Sequence, residues 1–344
     1  MNSSIAMRSV IVGQGYIGKR HAEMVSRNSE SILVAVCDIK EKSILNIQHD
    51  APFFASLEEM LASDLDFNVV HICTPNGLHA EHALAALSAG KHVVLEKPMG
   101  LTKAECEAII HKSLQVSRQA FCVMQNRYSP PSILLKQIVD DRILGDILQV
   151  QINCYWNRDD RYYKAGSWKG VQALDGGTLF TQFSHFVDIL YWLFGDITDI
   201  QAQFADFTHG HNTDFEDTGN IHFRFINGGM GSLHYSTAVW NKNFESSLTV
   251  IGSKGTIKVG GQYMNEVEYC HIKDYEMPAL PPSNPANDYG TYKGSAANHG
   301  YVIQNVVDVL KGRKPITTNA LEGMKVVEII ERIYALRPAG MVKN

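Results

Sequence analysis

The feature that most limits how this chain can fold is Ser9-Val10-Ile11-Val12 running into Gly13-Gln14-Gly15-Tyr16-Ile17-Gly18. Val10 to Val12 reads as a buried strand, and Lys19 to Arg27 continues as a helix. Between them Gly13 makes a tight turn, Gly15 lets the backbone approach a phosphate, and Gly18 lets helix and strand pack closely. The helix start then offers unpaired N–H groups and the positive end of a dipole. Glycine is common, so context decides. A strand precedes the glycines, a helix follows, and the next strand, Ser31–Cys37, ends in Asp38. Asp38, about 20 residues or slightly more beyond the glycines, would accept hydrogen bonds from both ribose hydroxyls and repel a 2′-phosphate. Ile39 follows it in place of Ser or Arg, and Lys40 is the only nearby cation, so NAD is expected over NADP. Gly13, Gly15, Tyr16, Ile17, Gly18 and Asp38 are the first candidate cofactor contacts.

The alternation of strand and helix continues through the first third of the chain. Asn68–Cys73 and His92–Glu96 read as buried strands with a helix from Ala80 to Ala89 between them. Thr102-Lys103-Ala104-Glu105 is a capping box opening the next helix, and Ala120–Met124 is a last strand. The pattern predicts an α/β Rossmann domain over residues 1–124, a parallel doubly wound sheet. Ligands in such sheets sit outside the carboxyl ends of the strands, where Gly13, Thr74-Pro75-Asn76 and Lys97 fall. His21 and His79 could also lie near the cofactor.

After Asn126-Arg127-Tyr128-Ser129-Pro130-Pro131 the period changes to two. Leu148, Val150, Ile152, Cys154 and Trp156 alternate with Gln149, Gln151, Asn153 and Tyr155, and Ile221, Phe223 and Phe225 alternate with His222 and Arg224. With further strands at Gly231–Val239, Phe244–Ile251 and Thr256–Val259, this predicts an α+β domain over residues 125–344. Its sheet is expected to be large, open and mostly antiparallel, with helices on one face. Such a sheet leaves an edge or face to hide, so a homodimer or homotetramer through it is expected. Asn319 caps a final helix to about Tyr334, which can pack back toward the first domain.

The 344 residues suit two domains. A net charge of -5 with scattered basic residues argues against nucleic-acid or membrane partners. The six cysteines form no C-x-x-C pair and mostly lie in apolar runs, which predicts neither a disulfide framework nor a metal site. No apolar run reaches the roughly 18 residues that span a bilayer. Met1 to Arg8 lacks the long hydrophobic core of a signal peptide and reads as a frayed leader. A soluble, cytoplasmic protein is expected.

Two groups carry candidate chemistry. Lys97, between a strand and Pro98, is either a surface lysine or an ammonium placed to stabilise an alkoxide beside the cofactor. Pro98 is a position where a cis bond would aim that lysine. The second group follows Gly176-Gly177. Leu179, Phe183, Phe186, Leu190 and Leu193 have helical spacing, so Thr181, His185 and Asp188 share another face of a regular helix. His185 is either a helix histidine satisfied locally or the acceptor of a substrate hydroxyl proton.

Taken together, Gly13–His21, Cys73-Thr74-Pro75-Asn76-Gly77-Leu78-His79, Glu96-Lys97-Pro98 and Gly176 through His185 to Asp188 resemble the glucose–fructose oxidoreductase and myo-inositol dehydrogenase family, over nearly the whole chain. The resemblance implies NAD as cofactor, with Pro75, Asn76 and Glu96 approaching the nicotinamide ribose. It also implies a small-molecule substrate over the second domain's sheet, with Lys97 and His185 as the catalytic residues. Many members carry Asp or Asn four residues before the histidine, where this chain has Thr181. A narrower resemblance, to bacterial UDP-N-acetylglucosaminuronic acid 3-dehydrogenases, rests on Cys154-Tyr155-Trp156-Asn157-Arg158, Tyr162-Tyr163, Ser167-Trp168-Lys169-Gly170 and Leu174-Asp175-Gly176-Gly177. It implies a UDP-sugar held by Lys97, Asn126, Arg127, Trp156, Asn157, Arg158, Tyr163, Thr181, Gln182 and His185. Arg158 and Lys169 would meet a carboxylate or diphosphate, while the aromatics stack on sugar or base. The expected reaction is oxidation of a secondary sugar hydroxyl, at C3 of a UDP-N-acetyl-hexuronic acid. A free sugar or inositol is the alternative substrate, and an NAD-binding sensor without turnover the alternative class.

Overall fold

The structure is a computed structural model that describes residues 6–47 and 49–341. Two compact units divide the chain. One comprises the residues up to Met124 with His299–Val327, and the other Gln125–Asn298 with the chain from Glu328 onward. No helix among the described residues is long and apolar enough to cross a membrane.

The first unit opens with strand β1 (Met7–Val12) and helix α1 (Tyr16–Arg27), followed by β2 (Ser31–Cys37). Met7 is wholly buried, so it and Arg8 belong to the sheet and not to a leader. Residues 1–5 of that expected leader lie outside the described residues. The helix starts three residues before the expected Lys19, because Gly15 serves as its N-cap directly after the turn. Next come β3 (Phe53–Phe54), α2 (Leu57–Leu61), β4 (Val69–Ile72), α3 (His79–Ser88), β5 (His92–Leu95), α4 (Lys103–Gln115) and β6 (Ala120–Cys122). Thr102 and Glu105 form both bonds of the capping box at α4. The six strands lie in the order β3-β2-β1-β4-β5-β6, and every pairing is parallel. At two residues, β3 is too short to show a period.

The second unit carries α5 (Pro130–Asp140), β7 (Ile147–Tyr155), α6 (Gln172–Asp175) and α7 (Ser184–Phe194), preceded by a π-helical turn over Leu179–Phe183. Strands β8 (Ile197–Ala205), β9 (Thr218–Phe225), β10 (Met230–Ser236), β11 (Glu245–Gly252), β12 (Gly255–Gly260) and β13 (Glu266–Ile272) follow. The seven-stranded sheet runs β13-β12-β11-β7-β10-β9-β8 and is antiparallel except where β7 meets β10. Its two edge strands, β8 and β13, are not among the strands expected from the sequence, although Ile200, Ala202 and Phe204 of β8 alternate with Gln201 and Gln203. A small ribbon of β14 (Ala286–Asp288) and β15 (Lys293–Ala296) completes it.

Helices α8 (His299–Leu310) and α9 (Ala320–Tyr334) come last, with the unit boundary falling inside α9. The sequence alone leaves His299–Val327 in the second domain. In the fold this segment is tied to the first unit by long-range polar contacts. Gln304 accepts from Asn28 Nδ2 (2.8 Å), Arg313 pairs with Glu30 (2.6 Å), and Asn319 bridges to Phe121 on β6.

Candidate functional site

The glycine turn can be tested as a dinucleotide cradle from the space around each glycine. Gly13 has φ +90, the left-handed region that favours glycine. A Cβ on Gly18 would sit 1.7 Å from the Gly13 carbonyl oxygen, so helix and turn touch backbone to backbone there. A Cβ on Gly15 would meet nothing within 4 Å. Packing therefore explains Gly13 and Gly18, and the open space over Gly15 is left for a ligand. Tyr16 and Ile17 form the first turn of α1 beside that space. Asp38 stands at the end of β2, where its Oδ2 accepts the Gln14 N–H (2.6 Å) and its Oδ1 the Lys40 N–H (2.9 Å). The residues fit the pyrophosphate and adenosine ribose of NAD.

The ends of β4 and β5 form the other half of this surface. Thr74 Oγ1 lies 3.0 Å from His82 Nδ1. His79, offered by the sequence as a cofactor contact, is buried with Nδ1 2.6 Å from the Pro98 carbonyl oxygen and Nε2 2.9 Å from that of Thr74. It ties the loop after β4 to the loop after β5. The Lys97–Pro98 bond is cis. Pro75 and the buried Asn76 open the short turn leading into α3.

Glu96 is the centre of a buried cluster. Its Oε1 lies 3.0 Å from His21 Nε2 and 3.3 Å from His299 Nε2, while its Oε2 accepts the Lys97 backbone N–H at 3.2 Å. His21 Nδ1 is 3.0 Å from His71 Nδ1, and His71 Nε2 is 3.0 Å from Ser9 Oγ. Burial raises the Glu96 pKa, but the neighbouring imidazoles of His21 and His299 outweigh it and hold the carboxyl well below its usual range. Burial pushes His71 and His299 down. Sequence reading found His21 and Glu96 but missed His71, inside a strand, and His299, over two hundred residues from its partner. Neither carries a local signal.

In the second unit, left-handed Gly176 and Gly177 (φ +87 and +121) turn the chain into the helix that bears His185. A Cβ on Gly177 would strike Arg337 and Tyr334, and Tyr334 Oη accepts the Leu179 N–H (2.7 Å). The π turn then changes the phase of the helix. Bonding from i to i+5 adds about one residue to that turn, so a spacing of four no longer completes it. The single shared face expected for Thr181, His185 and Asp188 assumes a regular helix, and the π turn removes that assumption between Thr181 and His185. Thr181 Oγ1 donates to the Asp175 carbonyl oxygen (3.0 Å) and carboxylate. Asp188 accepts two bonds from Arg127, at 2.8 and 2.6 Å, with both side chains wholly buried. His185 Nε2 lies 3.2 Å from the side-chain amide of Gln125, a neighbour the sequence did not single out.

The remaining expected substrate residues are largely internal. Arg158 is 1% exposed, with its guanidinium 4.8 to 5.1 Å from the ring centres of Trp156, Tyr162 and Tyr292. It donates to Gln182 Oε1 (2.6 Å) and to the carbonyls of Asn157 and Lys293. Burial lowers its pKa. Gln182 in turn donates to the Tyr162 hydroxyl (2.7 Å), and Trp156 Nε1 to Ser246 Oγ (2.7 Å). Asn157 donates to the Val239 carbonyl (2.7 Å), and Asn126 Oδ1 accepts from Ser295. Tyr163 packs in a cluster with Tyr162 and Phe215. The structure therefore gives Arg127, Trp156, Arg158 and Tyr163 as parts of the framework around Gln182 and His185. On the outer side of Tyr163 a groove of about 510 Å³ opens, lined among others by Lys164, Lys169, His211 and Asn212.

Residues 7–122 match a family described as an oxidoreductase family with an NAD-binding Rossmann fold, and residues 133–258 match the GFO/IDH/MocA C-terminal domain. The WlbA dehydrogenase of Bordetella pertussis, solved with NADH and UDP-GlcNAcA, is 29% identical with a TM-score of 0.84, over 96% of this chain and 95% of that one. The WlbA enzyme of Chromobacterium violaceum, solved with the same two molecules, is 28% identical with a TM-score of 0.84, over 97% and 94%. The inositol 2-dehydrogenase of Salmonella typhimurium is 27% identical over 56% of each chain.

Proposed function

The chain belongs to the GFO/IDH/MocA oxidoreductase family as an NAD-dependent dehydrogenase of sugar-type substrates, and from that premise we propose that it oxidises C3 of a UDP-N-acetyl-hexuronic acid. The observation that carries this reading is the likeness, over almost the full length of both chains, to two dehydrogenases solved with UDP-GlcNAcA. His185 takes the proton of the C3 hydroxyl as the carbon is oxidised, and Lys97 stabilises the developing alkoxide. NAD+, held by the turn from Gly13 to Gly18 and by Asp38, would supply the hydride acceptor. Gln125 sits within hydrogen-bond reach of His185 Nε2 and helps to orient the ring. Arg158 and its aromatic neighbours keep Gln182 in place, and the groove beside Tyr163 and Lys169 suits the nucleotide end. We place the enzyme in the cytoplasm, as a homo-oligomer built through its seven-stranded sheet.

The likeness to an inositol 2-dehydrogenase favours a second reading, a free polyol or sugar as substrate. Purified protein given NAD+ and a panel of UDP-uronic acids, UDP-sugars and free polyols, followed by NADH absorbance, separates the two. Turnover or a single-turnover burst with the UDP-N-acetyl-hexuronic acid is expected, and both should vanish in Lys97→Ala and His185→Ala. Turnover with free polyols alone would replace the nucleotide reading.

A further inference from the structure

The Glu96 cluster lies below the half of the cofactor surface that the glycine turn and Asp38 leave over. Asp38, at the end of β2, marks the adenosine ribose, and the turn between β1 and α1 takes the diphosphate. In the order β3-β2-β1-β4-β5-β6, the rest of the dinucleotide runs over the ends of β4 and β5, on the other side of β1. Glu96 and Lys97 directly follow β5 there. The nicotinamide is the part of NAD whose charge changes in the reaction, since its ring is cationic when oxidised and neutral when reduced.

The contacts from Ser9 to Glu96 can all be made with one proton on each ring. Glu96 Oε1 accepts, so His21 Nε2 carries a hydrogen, and the close Nδ1 to Nδ1 contact of His21 and His71 holds a single proton. With His21 neutral, that proton belongs to His71 Nδ1, and His71 Nε2 accepts from the Ser9 hydroxyl. The chain then runs one way, from Ser9 through His71 and His21 to the carboxylate, and His299 Nε2 approaches the same carboxylate oxygen to 3.3 Å without hydrogen-bond geometry. No ring needs a second proton. Three imidazoles crowd one buried site, with ring centres 5.2 and 5.7 Å from His21 to His71 and to His299. An added proton there would be desolvated and would face its neighbours.

We propose that Ser9, His71, His21 and His299 are positioning residues that hold Glu96 as an ionised carboxylate beneath the nicotinamide, and that this charge biases the bound cofactor toward its oxidised form. A second effect follows from Glu96 Oε2, which holds the Lys97 backbone N–H and so fixes the start of the catalytic lysine's loop. The inference rests on NAD binding and is independent of which sugar is oxidised.

The test is the pair of dissociation constants for NAD+ and NADH, measured by calorimetry at pH 8 without substrate. Glu96→Gln keeps the shape and removes the charge. It is expected to weaken NAD+ about tenfold while NADH changes less than twofold, which for this two-electron couple raises the potential of the bound cofactor by about 30 mV. A loss confined to the ratio is the electrostatic signature, because a merely structural role would weaken both forms alike. Equal weakening, or none, overturns the proposal. Wild-type protein supplies a second reading that does not depend on folding of the variant. The groups facing Glu96 that could alter the charge are His21, His71, His79, His299 and Cys73, with Lys97 next to it in the chain and Arg20 against His299. If the rings stay neutral, the ratio of the two constants is flat from pH 6.5 to 8.5. A tenfold drift over that range would show a second proton entering the cluster and would overturn the proposal as well.

Discussion

Gly15→Ala separates the fold of the glycine turn from its function. The backbone at Gly15 (φ -67, ψ -168) is open to alanine, and a Cβ there meets nothing within 4 Å. Alanine is a poorer N-cap than glycine by up to roughly 1 kcal/mol, while losing a glycine from the unfolded chain returns about 0.4–1 kcal/mol. The two nearly cancel, so the free energy of unfolding should change by less than about 1 kcal/mol. Bound NAD, by contrast, must bring its diphosphate over the same spot. One methyl inserted into a close-packed contact costs about 1–3 kcal/mol, which is roughly 5- to 150-fold in Kd. Calorimetric titration with NAD+ and urea unfolding of the same preparation read both quantities. Gly18→Ala is the contrasting control. Its Cβ would lie 1.7 Å from the Gly13 carbonyl oxygen, so strand and helix must separate and the fold itself should suffer. Wild-type NAD+ affinity in Gly15→Ala would refute the reasoning, because the open space over the turn would then not be the cradle.

Asp38→Ala removes a charged acceptor of the ribose hydroxyls, worth about 1.5–3 kcal/mol. NAD+ should bind at least tenfold more weakly and the preference over NADP+ should narrow, as parallel titrations would show. Asp188→Ala leaves the Arg127 guanidinium buried without its carboxylate and should cost about 3–5 kcal/mol in urea unfolding, whereas Arg127→Met with Asp188→Leu should cost less. Stability should also depend on pH. Above their ordinary value of 6.5, His71 and His299 are neutral folded or unfolded. Below it the unfolded chain binds protons that the buried rings refuse. Stability is therefore expected to fall as pH drops from about 6.5, by up to roughly 1.4 kcal/mol per pH unit for each ring. His92, held down to about 4 by burial and then Arg118, adds to the same slope. Glu96 adds its own loss below about 4.5, where the unfolded carboxyl takes up a proton and the folded one does not. Urea midpoints that stay level between pH 7 and 5 would contradict this.

Much of the site was legible because its geometry is local. A turn that must pass a phosphate close to its backbone needs glycine at fixed positions, and a strand and helix must flank it. Gly13, Gly15, Gly18 and Asp38 therefore mark the candidate cradle within some thirty residues. Period two marked most strands of the second sheet for the same reason, since one buried face writes itself into every other residue. Of the two edge strands that went unread, β8 carries the same mark at Ile200, Ala202 and Phe204, whereas the alternation of β13 is interrupted where its register against β12 shifts.

Tertiary structure decided the rest. Periodicity takes every helix as regular, so it placed Thr181, His185 and Asp188 on one face, and the π turn between Thr181 and His185 breaks that rule. The partners themselves were chosen across the chain. Asp188 went to Arg127, sixty-one residues away, and Glu96 to His21 and His299. Aromatic and cationic residues suited to a sugar, Trp156 and Arg158 among them, are equally suited to a core, and only packing showed that these lie inside. Sequence fixes which groups are available and the local shapes they can take. Which groups meet in the dry interior depends on distances between segments that no spacing along the chain records.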